Sequence, residues 1–392
     1  MKIAHLADAH LGFRQYHRQT PNGINQREAD VAAAFRLAID GVIAARPDAV
    51  VVAGDLFHSV RPSNPAILFA FREFQRLRDR LPVAPVILIA GNHDTPRSTE
   101  TGSILRLFET LGVDVVADEA RRLVYPALDL SVLAVPHEAL VTGTRPVLEP
   151  EGKVRHQVLV IHGEVEGLFH VDRSTIEYGG ALLREEELTR AEWQYVALGH
   201  YHVRHQVAPR VWYSGALEYV SSNPWGERKE EARGGAAGKG WLLVDLPTGD
   251  VAFQPLPLAR RVIDLDPVDG AGHTAGEIDA MLAERMAAVP GGIEGQILRL
   301  VVWNIPRHTA RELDHARIRE WKSSALHFHL DLRRPESRRE TGVGAPGRRQ
   351  TLPEILGEYL AHRPLPADLD RSTFIGLGLG LLDEVEREAV EA

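Results

Sequence analysis

Short apolar runs that end in polar residues recur along the first half of the chain: Ile3–Ala7, Ala49–Ala53, Val86–Ala90, Val158–Ile161 and Tyr195–Leu198. Unbroken apolar stretches of this length predict strands buried on both faces, as in a parallel sheet. Gln26–Ala45, Asn64–Leu81 and Gly102–Leu111 instead carry apolar residues at helical spacing, so residues 1 to about 115 read as strand and helix in alternation. From about 122 to 258 strands prevail: Leu123–Leu128, Ser131–Val135, Val211–Ser214, Trp241–Leu246 and Val251–Leu256 join the two runs already named. A second sheet with its own antiparallel hairpins, packed on the first, accounts for this. The expectation is an α/β chain whose residues 1–258 form one four-layer αββα sandwich.

The Pro-rich stretch Gln254–Leu258 ends that domain. Residues 259–333 then read as strand (Arg261–Leu265), helix (Thr274–Ala288), strand (Gln296–Trp303), helix (Ala310–Ser324) and strand (Leu326–Leu332), a small α+β unit of the right size to cap the first. Residues 334–350 scatter five arginines among Gly, Pro and Ser and read as a basic flexible linker. The tail, 351–392, holds two helical stretches, Thr351–His362 and Ser372–Val390. The apolar residues Leu352, Ile355, Leu356, Tyr359 and Leu360 of the first, and Phe374, Ile375, Leu377, Leu379, Leu381 and Leu382 of the second, have no domain of their own to bury them.

Composition narrows the chemistry. With no cysteine among 392 residues, disulfides and thiolate metal sites are excluded, and any metal must be held by nitrogen and oxygen. A net charge of −9 argues against indiscriminate attraction to nucleic acid, although bound cations and local basic loops can reverse the sign where it matters. No apolar run approaches the roughly 18 residues that span a bilayer. His5 and Asp8 interrupt the stretch where a signal peptide needs continuous apolar residues, so the expected compartment is the cytoplasm.

Polar cassettes follow the buried runs: Asp8-Ala9-His10, Gly54-Asp55-Leu56-Phe57-His58, Gly91-Asn92-His93-Asp94, His162-Gly163 and Gly199-His200-Tyr201-His202. Functional crevices of open α/β sheets lie outside the carboxyl ends of their strands, so these cassettes converge. On a strict strand Asp8 and His10 face one side and grip one cation. Asp55 has acceptor capacity to bridge two ions; Asn92, His162 and His200 serve the second, and His202 returns to the first. Two divalent cations against two carboxylates leave a positive site that draws an anionic phosphate ester and ionises water near neutral pH. Nitrogen and oxygen ligands favour Mn²⁺, with Mg²⁺, Fe²⁺ or Zn²⁺ as substitutes. Each cassette alone also reads as turn chemistry or a surface pair. Their joint placement after apolar strands is what points to a two-metal hydrolase.

The series D-x-H, G-D-L-F-H, G-N-H-D, H-G and G-H-Y-H resembles the calcineurin-like metallophosphoesterases, and within them the DNA double-strand-break repair nucleases of the SbcD type. The resemblance covers residues 1–258 through motifs, and the rest through layout only. It implies that Asp8, His10, Asp55 and His202 hold one metal and Asp55, Asn92, His162 and His200 the other. It implies that His58 places the scissile phosphate and that His93 stabilises the transition state or protonates the leaving oxygen. Protein phosphatases of the superfamily carry Asp-Arg-Gly after the second cassette, whereas this chain has Leu56-Phe57-His58. Tyr213–Glu218 followed by Lys239-Gly240-Trp241 also resembles the nuclease branch, with Ser214 where members often have Pro.

The resemblance further implies a Mn²⁺-dependent 3′–5′ double-strand exonuclease and single-strand endonuclease, a homodimer, and docking of the tail on the coiled coil of an SbcC-type SMC-like ATPase. Ile67, Phe71 and Phe74 are candidates for the dimer face, and the loop carrying Arg14, His17, Arg18 and Arg27 is a candidate contact for DNA phosphates. A small-nucleotide phosphodiesterase or phosphatase would use the same metal chemistry. A non-catalytic DNA-end tether is the rival of a different class.

Overall fold

The computed structural model describes residues 1–96, 102–142, 144–152, 154–168, 180–235, 238–335, 351–363, 365 and 369–391. Most of the linker, 336–350, lies outside the described residues. Met1–Pro335 forms one compact unit and Glu336–Ala392 a second.

The chain opens with β1 (Lys2–Leu6), α1 (Gln26–Ala45), β2 (Ala49–Ala53), α2 (Asn64–Arg80), β3 (Val86–Ile89) and β4 (Asp114–Val116), the four strands running parallel in that order. Local capping starts both helices. The Asn25 side chain accepts from the amides of Arg27 and Glu28, and the Ser63 hydroxyl accepts from Ala66, with Pro65 in the first turn. Phe35, Ile39, Phe74 and Leu77 of these helices lie fully buried against Leu6, Val50 and Leu88. Burial of each such side chain is worth about 1.5–3 kcal/mol. The helix expected over Gly102–Leu111 is instead a 3₁₀ run over Ile104–Leu111. Ser103 caps it and Gly112, at φ 72°, stops it, leaving a segment too short to gain from α-helical propagation.

The second sheet comprises β5 (Arg121–Tyr125), β6 (Leu130–Val135), β7 (His156–His162), β10 (Tyr195–Gly199), β11 (His205–Ala208) and β12 (Val211–Tyr213). Its order is β11-β12-β10-β7-β6-β5, with the inner four parallel and both edges antiparallel. A short parallel pair, β8 (Glu164–Val165) with β9 (Leu182–Leu183), extends beyond β7. Ile3, Val51 and Ile87 of the first sheet meet Val132, Val158, Val160 and Ala197 of the second in a core with no solvent exposure. The outer face of the second sheet is covered by α3 (His137–Val141) and α4 (Glu185–Thr189) through Ala139 and Leu188. Helix, sheet, sheet, helix is the expected four-layer arrangement.

One assignment is corrected. The strands over Trp241–Leu246 and Val251–Leu256 belong to the first sheet. β13 (Gly240–Asp245), which follows α5 (Pro224–Arg233), pairs antiparallel with β1, and β14 (Asp250–Pro255) pairs with β13. β1 is buried and needs a partner on the edge opposite β2; the alternation of β13 matches it, with Leu242 and Val244 turned into the inter-sheet core.

Residues 259–335 carry β15 (Val262–Asp264), β16 (Val268–Asp269), α6 (Ala275–Ala287), β17 (Ile297–Trp303), α7 (Arg307–Glu312), α8 (His315–Ser324) and β18 (His327–Leu332), all strands parallel around β17. This unit has its own core, including Ile278, Leu282, Leu300 and Phe328. Tyr219 and Trp225 pack against Val262, Ile297 and Leu326, joining the unit to the sandwich.

In the second unit, α9 (Leu352–His362) and α10 (Arg371–Glu391) are separate helices. Leu352, Ile355 and Tyr359 are 50–59% exposed and Leu356 is half-buried, but Leu360 is buried against α10. Leu360 therefore leaves the candidate docking face, because the helical pair already covers it. No helix among the described residues is long and apolar enough to cross a membrane.

Candidate metal centre

The cassettes meet at the carboxyl ends of β1, β2, β3, β7 and β10. Asp8 and His10 lie beyond the end of β1, not on a strand, and each takes a left-handed backbone (φ 51° and 47°). Asp55 at φ 51° and His200 at φ 105° do the same, so four of the nine described non-glycine residues with positive φ are predicted ligands. Strain of this kind, of order 1–3 kcal/mol per residue, persists where packing over-determines it and clusters at functional sites.

Hydrogen bonds then aim the side chains. The Asp8 amide donates to the Gly54 carbonyl and the His10 amide to the Asp55 carbonyl, lacing the first two cassettes together. The buried Asp94 carboxylate accepts from the amides of Leu56, Phe57 and Gly91 at 3.0–3.2 Å and ties the second cassette to the third. His162 Nδ1 donates to the Ala53 carbonyl at 2.8 Å, which leaves the Nε2 lone pair facing Asn92 Oδ1 at 3.0 Å and Asp55 Oδ2 at 3.3 Å. Glycine is required beside these groups: a Cβ on Gly54 would stand 2.2 Å from His162 Nδ1, and one on Gly91 2.1 Å from Asp55 Oδ1.

Two candidate ligand groups result. Asp8, His10 and His202 form one, and Asp55, His162 and His200 the other, with the donor atoms of each within 4.8 Å of one another. Asn92 Oδ1 joins the second group, 3.1 Å from His200 Nδ1. Asp55 Oδ2 lies between the groups, 3.8 Å from His10 Nε2 and 3.3 Å from His162 Nε2. His10 Nε2 and His202 Nε2 face each other at 3.1 Å. His58 and His93 stand over the first group, their rings stacked at 5.3 Å, and with His10 they make a third cluster of three imidazoles.

Residues 1–208, more than half of the chain, match the family model described as calcineurin-like phosphoesterase. The chain belongs to this family. Among its relatives are proteins named "DNA double-strand break repair protein Mre11" from Methanocaldococcus jannaschii (28% identical, covering 65% of each chain) and Sulfurisphaera tokodaii (31%, covering 64% of this chain and 60% of the relative). A third, from Sulfolobus acidocaldarius, is 30% identical over 64% of this chain and 62% of its own length. The chain thus spans somewhat under two thirds of the length of these relatives.

The electrostatics of the calcineurin-like phosphoesterase site fit bound cations. Burial pushes the Asp8 carboxyl up to about 6, against the pull of His162 and His202. Burial lifts Asp94 to about 7, and the Asp55 charge adds to it. Burial alone would also raise Asp55, but His162, His10 and His93 hold it well below the usual carboxylate range. For His162, burial disfavours the charged ring, yet Asp55 and Asp8 raise it to about 9. Asp55 and Asp8 thus favour positive charge at the position of His162, which is where a cation would supply it. With His162 neutral, as a metal ligand must be, Asp55 Oδ2, fully buried, has no hydrogen-bond donor. A buried carboxylate oxygen left bare among imidazole nitrogens is costly unless a cation takes it. The donor set therefore fits a pair of hard-to-borderline divalent ions.

His93 is placed by both neighbours: its amide donates to Asp55 Oδ1 and its Nδ1 donates to the His58 carbonyl, each at 2.8 Å. That leaves Nε2 as the atom able to give or take a proton. His58 Nδ1 lies 3.3 Å from His10 Nδ1, and its ring packs edge-on to Phe13.

The basic loop divides. Arg14 and His17 are exposed, with Arg14 Nε donating to Glu28 at 2.7 Å. Arg18 donates to the carbonyls of Ser323 and Ala325 and thereby ties the loop to residues 259–335. Arg27 is no phosphate contact. It is 1% exposed, paired with Asp30 at 3.0 Å and Glu218 at 3.1 Å, and donates to the Tyr219 carbonyl at 2.8 Å. A guanidinium enclosed on all sides cannot reach a duplex. Of the candidate dimer stripe, Phe74 is fully buried and cannot reach a second copy, Ile67 and Phe71 are half-buried and pack in part against the core, and Leu68 beside them is exposed. Sequence reasoning missed Asp94 as a tie and Glu227 beside His202; a Glu in an amphipathic stretch reads as a solvated face until its burial is seen.

Proposed function

We propose that this protein is a Mn²⁺-dependent DNA nuclease that processes ends in double-strand-break repair. The observation that carries the reading is the pair of buried ligand groups with Asp55 Oδ2 between them. Asp8, His10, Asp55 and His202 would hold one ion, and Asp55, Asn92, His162 and His200 the other. Such a pair supplies a nucleophile from water and charge stabilisation for in-line displacement at phosphorus. The chain's own part is to fix the ligands, to present His58 toward the phosphate, and to bring His93 Nε2 to the leaving oxygen as proton donor. Relatives named for double-strand-break repair favour DNA over other phosphodiesters as substrate.

The finer features extend this reading. Cleavage runs 3′–5′ on duplex ends and internally on single strands. Arg14 and His17 contact flanking phosphates, and Leu352, Ile355, Leu356 and Tyr359 dock on an SbcC-type SMC-like ATPase. The protein works as a homodimer on the nucleoid in the cytoplasm.

The test is Mn²⁺-dependent degradation of linear duplex DNA, run beside a phosphomonoester and a cyclic nucleotide, with Asp55→Ala and His93→Ala as controls. DNA cleavage lost in both variants and in chelator, and restored to the parent by Mn²⁺, is the expected result. Hydrolysis of the small substrates alone would transfer the function to a nucleotide phosphodiesterase, and no hydrolysis at all would leave a tether.

A further inference from the structure

Behind the first ligand group lies a buried ionic unit that the reaction as described does not use. Glu227 of α5 is 2% exposed, and its Oε1 stands 3.8 Å from His202 Nδ1, on the side of the ring away from the centre. The same oxygen accepts from the Ser221 amide at 3.0 Å. Its Oε2 pairs with Lys239 Nζ, and Lys239, itself 2% exposed, donates to the His202 carbonyl at 2.7 Å and lies 3.2 Å from Glu231 Oε1. Glu231 also accepts from the Tyr219 hydroxyl at 2.8 Å, and the ammonium sits over the Tyr219 ring. His202 is thus gripped twice, at its carbonyl by Lys239 and at its ring by Glu227.

We propose that Glu227 is a positioning residue for the first metal: its carboxylate beside Nδ1 keeps the ring proton there and leaves the Nε2 lone pair of His202 directed at the site. The inference rests on the two-metal reading. Its physical basis is that a negative charge buried 3.8 Å from one ring nitrogen favours the proton on that nitrogen over the far one. His202 Nε2 faces His10 Nε2 at 3.1 Å, so a proton on Nε2 would block a donor that the first group needs. Removal of such outer partners commonly lowers metal affinity 10–100-fold. Glu231 is the internal control: it shares Lys239 with Glu227, but its other oxygen takes the Tyr219 hydroxyl.

The experiment is Mn²⁺ binding by the full-length protein, measured by calorimetry and by electron paramagnetic resonance, for the parent, Glu227→Gln, Glu231→Gln and Glu227→Gln/Lys239→Met. Glu227→Gln leaves Lys239 paired with Glu231 and the buried charges balanced; the double variant removes the Lys239 charge as well, with the Tyr219 hydroxyl still donating to Glu231. Expected are two sites in the parent, a 10–100-fold loss at one of the two in both Glu227 variants, and unchanged affinity in Glu231→Gln. Two parent-like sites in the Glu227 variants, or an equal loss in Glu231→Gln, would overturn the positioning role while leaving the two-metal reading intact. A parent that binds no Mn²⁺ would overturn both.

Discussion

Replacing Arg27 with Met tests whether this arginine, in the first turn of α1 beside the site, serves structure or substrate. Arg27 is 1% exposed, and the change strips Glu218, equally buried, of the cation 3.1 Å from its Oε1. It also removes a donor from Asp30 at 3.0 Å and from the Tyr219 carbonyl at 2.8 Å. Asp30 keeps Arg260, whose Nε lies 2.8 Å away, so the uncompensated charge is Glu218. Breaking one side of a buried pair costs about 3–5 kcal/mol. Glu218 already has its pKa raised from 4.5 by burial despite Arg27, and without the guanidinium it rises further and the carboxyl protonates to fold. A carboxyl with a raised folded pKa binds more protons folded than unfolded, so the variant's deficit is small near pH 4.5 and grows as pH rises above that value. Urea unfolding followed by tryptophan fluorescence at pH 5 and pH 8 measures this. A companion Arg27→Met/Glu218→Leu change removes both charges and should recover most of the loss. If Arg27→Met is within about 1 kcal/mol of the parent at pH 8, yet weakens DNA binding, then the burial argument is wrong and Arg27 belongs to the substrate surface.

The remaining predictions concern neighbouring features. Arg14→Ala, at a side chain 60% exposed, should leave stability within about 1 kcal/mol and lower the slope of log affinity for DNA against log salt by about 1; an unchanged slope removes it from the contact surface. Gly54→Ala should abolish metal binding at the second group, because the new Cβ meets His162 and the backbone sits at φ 95°; parent-like Mn²⁺ stoichiometry would refute this. His5, fully buried with its pKa lowered to about 3 by that burial, must charge in the unfolded chain below 6.5. The parent should therefore lose about 1.4 kcal/mol per pH unit between 6.5 and 3 that His5→Gln, which keeps a partner for the Tyr195 hydroxyl, does not; parallel acid limbs would contradict it. Truncation after Pro335 should abolish co-purification with the ATPase, and continued association would rule out docking through Leu352, Ile355 and Tyr359.

The sequence by itself determined the strand–helix alternation and the candidate ligand set. Both follow from local rules: a short β-branched run such as Val50–Val52 favours a buried strand, and the residues after it then stand at the strand's carboxyl end. Asp8, Asp55, Asn92, His162 and His200 could be named because their chemistry shows in residue type. What the tertiary structure alone decided is which charges are enclosed and who encloses them. Arg14 and Arg27 are the same residue type thirteen positions apart, yet Arg27, in the first turn of α1, is sealed by Glu218 from 191 positions away and Arg14 faces solvent. Glu227 and Lys239 look like surface charges until α5 and the start of β13 bring them together behind His202. Strand β13 reads like a member of the second sheet until the free edge of β1 claims it. Periodicity records how each segment treats water on average, whereas partner choice among buried charges and sheet edges depends on contacts between segments far apart in the chain.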